Sequence, residues 1–192
     1  MAIEIRTTAE ENLRFIRGAM ERAQRTSSVS GASGIVIGLI ALGSAAAAAG
    51  ASTLSDQLLI WITAAIFAAV AGLLGTWLKA RRLQEIILND PGRRFLLCLL
   101  PMLATGALLT LALWQTPQQL LLPAFWMLLY GCGLTAAGTY AAKPILPMGI
   151  CFLCIGLLAW LLAGRWSNLL LGAAFGGLHI IFGYQVYRHH GG

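Results

Sequence analysis

The run LLIWITAAIFAAVAGLLGTWL, residues 58 to 78, holds twenty-one residues without a charged side chain and is followed at once by KARR, 79 to 82. A helix rises 1.5 Å per residue, so about 20 residues cross the roughly 30 Å hydrocarbon core of a bilayer. A basic cluster abutting such a run is the mark of a cytoplasmic flank. Five further runs of the same character surround it, giving apolar stretches at about 33–51, 58–78, 95–114, 119–142, 146–164 and 168–187. Lipid offers the backbone no hydrogen bonds, so segments that cross it singly must be helical. The sequence therefore predicts an all-α polytopic membrane protein, with residues 29–192 forming one bundle of six transmembrane helices and connections too short to fold as a further domain.

Composition points the same way. Of 192 residues, 58% are hydrophobic and 10% charged, and mean hydropathy is +0.78, whereas a soluble domain carries about a quarter of its residues as charged. A net charge of +6 would invite a nucleic-acid partner if the basic residues formed one patch. Beyond residue 28 they instead punctuate the chain between apolar runs, so no direct nucleic-acid binding is expected. The N-terminal tail, the segment 79–94, the turn at Lys143 and the C-terminal tail together hold twelve of the thirteen lysines and arginines, and the opposite side holds only Arg165. The positive-inside rule then places both termini in the cytoplasm. Arg81, Arg82, Arg93 and Arg94 are the inner-surface charges of the bundle itself. Trp61, Trp114, Trp160 and Trp166 fall near the outer ends of the runs and Trp77, Tyr140, Tyr184 and Tyr187 near the inner ends, as interfacial aromatic belts require.

Residues 1–28 carry five arginines and four glutamates and are expected to stay out of the hydrocarbon. Within TAEENLRFIRGAMERAQR, 8 to 25, Thr8 and Glu11 have capping-box spacing, and Leu13, Ile16, Met20 and Ala23 recur at helical steps. This predicts an amphipathic helix in the headgroup region, its basic face supplied by Arg14, Arg17, Arg22 and Arg25. Docking onto a soluble partner requires the same features. No signal peptide is expected, because the apolar run begins only near Ile35.

Tails are as apolar as leucine, so helices in lipid associate largely through close backbone approach at small residues. Gly34 and Gly38, Gly72, and Gly172, Gly176 and Gly183 are the expected packing positions, within the bundle or between copies. Pro101 lies inside the third run, where it removes one backbone hydrogen bond and is expected to kink the helix.

Searches for chemistry return little. No phosphate-binding glycine loop or zinc-protease motif occurs, and no apolar run contains an acidic residue. A coupled transporter usually places carboxylates near the midplane. The pair CFLC, 151 to 154, has the spacing of redox and zinc sites but no further ligands to complete a zinc site. Cys98, Cys132, Cys151 and Cys154 all lie in apolar runs and read as small apolar residues. No cofactor or metal is expected and no catalytic residue is assigned.

One ionisable ring remains within the hydrocarbon. In GAAFGGLHIIFG, 172 to 183, Gly172, Gly176, His179 and Gly183 step by four, three and four, which puts all four on one helical face. By depth His179 is level with Ser44, Thr105, Tyr130 and Cys154 on other runs. Its plainest role is a neutral imidazole hydrogen-bonded across a helix contact, worth about 0.6 to 2 kcal/mol. The functional alternatives are a pH-sensitive latch or the polar anchor of a small-molecule pocket.

LRFIRGAMERA, 13 to 23, leading into a Gly/Ala-rich first run, and FGGLHIIFG, 175 to 183, before a basic tail, resemble a family of uncharacterised bacterial six-span integral membrane proteins. The resemblance is best at the two ends, implies a bacterial cytoplasmic (inner) membrane and a sensory or regulatory setting, and names no catalytic residue. Three functional classes follow: a non-enzymatic regulatory, sensory or accessory subunit acting through partners, a small-solute or lipid carrier with a site around His179, and a membrane enzyme. The first is favoured, with membrane lipids and a protein partner or second copy of the chain as its neighbours.

Overall fold

A computed structural model of the chain describes residues 12–13, 30–83, 90–162 and 166–189. Of the predicted N-terminal helix only Asn12 and Leu13 are described, both helical and exposed. The remainder of that segment, with Arg14, Arg17, Arg22 and Arg25, lies outside the described residues, as does Arg165.

Ser30 starts the first helix. Its backbone is extended, its hydroxyl accepts from the Ser33 N–H, and Ser33 Oγ donates back to the Ser30 carbonyl at 2.8 Å, so the cap satisfies an orphan donor. Helix α1 then runs Gly31–Ala49, and α2 runs Leu54–Leu83 with Asp56 in its first turn and Arg81 and Arg82 in its last, the polarity a helix dipole favours. Helix α3, Asp90–Leu113, continues through Pro101. A 3-10 turn, Pro117–Leu121, leads into α4, Leu122–Ala137. Helix α5 is Ile145–Leu161, and α6 is Ser167–His189.

Five of these helices are long and apolar enough to cross a membrane, α4 when taken together with the 3-10 turn before it as Pro117–Ala137, and α5, at 17 residues, is a shorter apolar helix. The described residues contain no strand. Several apolar helices of this length suggest a multi-pass membrane protein. Their outward faces fit that reading: Ile66, Phe67, Val70, Leu73 and Leu74 on α2 and Leu97, Leu100, Leu108 and Leu111 on α3 are exposed. In water such faces would be an aggregation hazard. In hydrocarbon they cost nothing.

Helix α1 packs against α2 and α6, and α4 packs against α3 and α5. The largest fully buried side chains include Leu122, Met127, Phe152 and Val186, and the main apolar cluster joins α4 and α5 to Leu171, Ala174 and Val186 of α6. At one end, Ser33 of α1 meets Gly75 of α2, and Gly31 of α1 meets Tyr187 of α6. At that same end Arg81 lies over the Trp77 ring at 4.4 Å and Arg94 over Tyr140 at 5.4 Å. Lys79, Arg81, Arg82, Arg93, Arg94, Lys143 and Arg188, every lysine and arginine among the described residues, are gathered there by the alternation of helix direction.

Candidate functional site

Helix α6 is not uniform. Between Ser167–Leu171 and His179–His189, the stretch Gly172–Leu178 winds as a π-helix. This wider turn hydrogen-bonds five residues apart and tends to occur at functional positions. It also breaks the register that would hold Gly172, Gly176, His179 and Gly183 in one straight stripe.

The glycines face α1. A Cβ on Gly176 would stand 2.5 Å from Leu42 Cδ2, one on Gly183 would stand 2.9 Å from the Ile35 nitrogen, and one on Gly172 would stand 3.0 Å from Ala45 Cβ. From the other side, a Cβ on Gly38 would meet the Gly176 carbonyl oxygen at 2.7 Å and one on Gly34 the Gly183 Cα at 3.1 Å. These approaches are a backbone-to-backbone seam of the kind small residues permit in lipid. Gly72 sits in an ordinary contact, 3.5 Å from Ile37 Cδ1.

The His179 ring leaves this seam for α4. Its Nε2 shares a 2.9 Å hydrogen bond with Tyr130 Oη, and the residue is 5% exposed. Around it, Tyr130 from α4, Phe152 from α5 and Phe175 from α6 close a cluster of four rings. Tyr130 and Phe152 meet edge-on at 5.0 Å, Phe152 and Phe175 at 4.9 Å, and the imidazole stacks on Phe175 at 6.0 Å. Edge-to-face pairs of this kind contribute about 0.5–1.5 kcal/mol beyond the area they bury.

Nδ1 of His179 is buried and has no hydrogen-bond partner among the described residues. The direction of the bond between Nε2 and the Tyr130 hydroxyl follows the tautomer, since a neutral imidazole carries one N–H and one acceptor nitrogen.

Ser44 and Thr105 are not brought to His179. Ser44 Oγ donates to the Ile40 carbonyl at 2.9 Å and Thr105 Oγ1 to the Pro101 carbonyl at 2.9 Å, the back-bond a hydroxyl makes in an apolar helix. Cys154, expected at the same level, is exposed, and all four cysteines are free. No group of three or more potential ligands among the described residues could hold a metal ion.

Two polar links were not anticipated from sequence. Asn168 accepts from the Trp61 indole at 3.0 Å and donates to the Ala45 carbonyl at 2.8 Å, tying α6 to α2 and α1. The Trp126 indole donates to Thr110 Oγ1 at 2.9 Å, joining α4 to α3, over a face where a Cβ on Gly106 would meet the ring at 2.9 Å. An asparagine at the start of the sixth run and a threonine near the end of the third are the sequence signals of these links. No family model, curated protein or solved structure matches the chain.

Proposed function

We propose that this chain is a non-enzymatic integral membrane protein with six crossings and both termini in the cytoplasm, a regulatory, sensory or accessory subunit of a bacterial inner membrane that acts through partners. Counting α5 as the sixth crossing is supported by its 17 residues, at the lower end of the range that spans a bilayer. The orientation is supported by the gathering of seven basic side chains at one end of the helices.

The observation that carries the reading is the enclosure of His179. A carrier site needs polar groups around room for a solute, and an enzyme needs titratable groups converging on an accessible point. The imidazole here meets one hydroxyl and three aromatic rings at 5% exposure, which favours packing over transport or catalysis. With the bundle spent on packing, the basic N-terminal arm is the part left to engage a partner.

The test is comparative crosslinking in native membranes. The intact chain should give a reproducible crosslinked partner, and deletion of residues 1–25 should abolish it while leaving the bundle inserted. A chain that crosslinks to nothing, with or without the arm, contradicts the proposal.

A further inference from the structure

Every close glycine approach sorts into one of two sets. Gly31, Gly34, Gly38, Gly72, Gly75, Gly172, Gly176 and Gly183 meet atoms of α1, α2 or α6. Gly106, Gly131, Gly133, Gly138, Gly149 and Gly156 meet atoms of α3, α4 or α5. The nearest neighbours of each of these fourteen glycines lie in its own set. Three polar links between helices follow the same division, Trp61 to Asn168 to the Ala45 carbonyl falling within the first set and Trp126 to Thr110 within the second.

Backbones touch between α1 and α6, at Gly31, Gly34, Gly38 and Gly183, and between α4 and α5, at Gly131, Gly138, Gly149 and Gly156, whereas α2 meets α1 at the Ser33 and Ile37 side chains and α3 meets α4 at the Trp126 ring and the Leu99 side chain. Between the sets the chemistry differs. Leu171, Ala174, Phe175, Leu178 and Phe182 of α6 meet α4 and α5 through side chains. In the apolar middle, the side-chain hydrogen bond that joins the two sets is the one between Tyr130 and His179.

The last helix thus has two faces of unlike character. Gly172, Gly176 and Gly183 lock it to α1, while the ring-bearing positions rest on α4 and α5. The π stretch lies where these faces pass each other, and it brings Phe175 and His179 together at the boundary.

We propose that the molecule consists of two close-packed halves, α1–α2–α6 and α3–α4–α5, that move against each other at the cluster of the Tyr130, Phe152, Phe175 and His179 rings, with the Tyr130 to His179 hydrogen bond as the latch of the closed arrangement. Interfaces made of side chains that can exchange rotamers have alternative packings open to them, whereas a backbone seam has one. This device is independent of the partner reading above and stands whether or not a partner is found.

The test uses pairs of spin labels on the full chain in proteoliposomes, with Cys98, Cys132, Cys151 and Cys154 replaced by Ala and the labels on exposed, outward-facing positions. Ile66→Cys with Leu108→Cys reports between halves, Ile66→Cys with Ile181→Cys within the first, and Leu108→Cys with Leu157→Cys within the second. Tyr130→Phe, which keeps the ring and removes the hydroxyl, should broaden or shift the between-halves distance distribution while both internal pairs keep the parent distances. Should all three pairs be unchanged, or all three change alike, the two-half description is wrong. His179→Phe provides a second release of the latch and should act in the same direction.

Discussion

A methyl group added at Gly38 would stand 2.7 Å from the Gly176 carbonyl oxygen, so α1 and α6 are in contact through main chain as well as through side chains. Lipid supplies no hydrophobic drive to bring helices together, and this intimacy is what small residues contribute in its place. Substitution should be felt accordingly. Gly38→Ala is expected to lower stability in detergent by about 1–3 kcal/mol, the usual cost of overpacking. Gly43→Ala, with nothing within 4 Å of its added Cβ, should melt with the parent. Equal melting of the two variants would remove the seam from the account.

Asn168 is bonded at both ends of its amide. Asn168→Ala breaks the ties to Trp61 and Ala45 together, and the expected loss is about 1–2 kcal/mol, within the range for polar contacts between membrane helices. Trp61→Phe removes one tie only and should cost less. Thermal unfolding followed by tryptophan emission checks the ranking, and a larger loss for Trp61→Phe would show that ring packing outweighs the amide.

Single-cysteine labelling reads the orientation. In a background lacking native cysteines, Asp56→Cys should react with an impermeant maleimide added to intact cells, whereas Arg82→Cys and Lys143→Cys should react only after lysis. All three positions are exposed. The reverse pattern would invert the topology, and labelling of all three in intact cells would remove it.

Helix positions were largely legible in the sequence, because a bilayer imposes one length and one polarity on whatever crosses it. The run expected at 33–51 is the helix Gly31–Ala49, and that at 168–187 is Ser167–His189. The fourth apolar run outlasts its helix: α4 stops at Ala137, where the Gly138 N–H closes on the Leu134 carbonyl and a turn intervenes before Pro144. Apolarity continued through that turn and gave no signal of it.

Neither depth nor azimuth was fully legible. Tyr130 meets His179, but on α1 the residues beside His179 and Ile180 are Gly34 and Gly38, and Ser44 lies toward the other end of the seam, next to Ala45 and its contact with Gly172. The π stretch was hidden for a related reason. Its residues, GAAFGGL, are as apolar and small as an ordinary packing segment, so hydropathy carries no trace of the extra residue that turns His179 away from the glycine seam and toward Tyr130.

Removing the imidazole should hurt stability without disturbing insertion. His179→Ala takes a 5%-exposed ring out of a four-ring cluster and strands the Tyr130 hydroxyl, for an expected loss of about 2–4 kcal/mol. The same variant should retain the labelling pattern of the parent at Asp56→Cys and Arg82→Cys. A change of topology on losing one ring would mean that insertion depends on this residue.

The structural role of His179 is tested most directly by a double-mutant cycle of Tyr130→Phe and His179→Phe, measured as reversible unfolding in detergent. The account predicts that the two substitutions are coupled by about 0.6 to 1.7 kcal/mol, the span measured for interhelical hydrogen bonds in lipid. Strictly additive losses would contradict it, because the 2.9 Å bond between these side chains would then contribute nothing to holding α4 and α6 together.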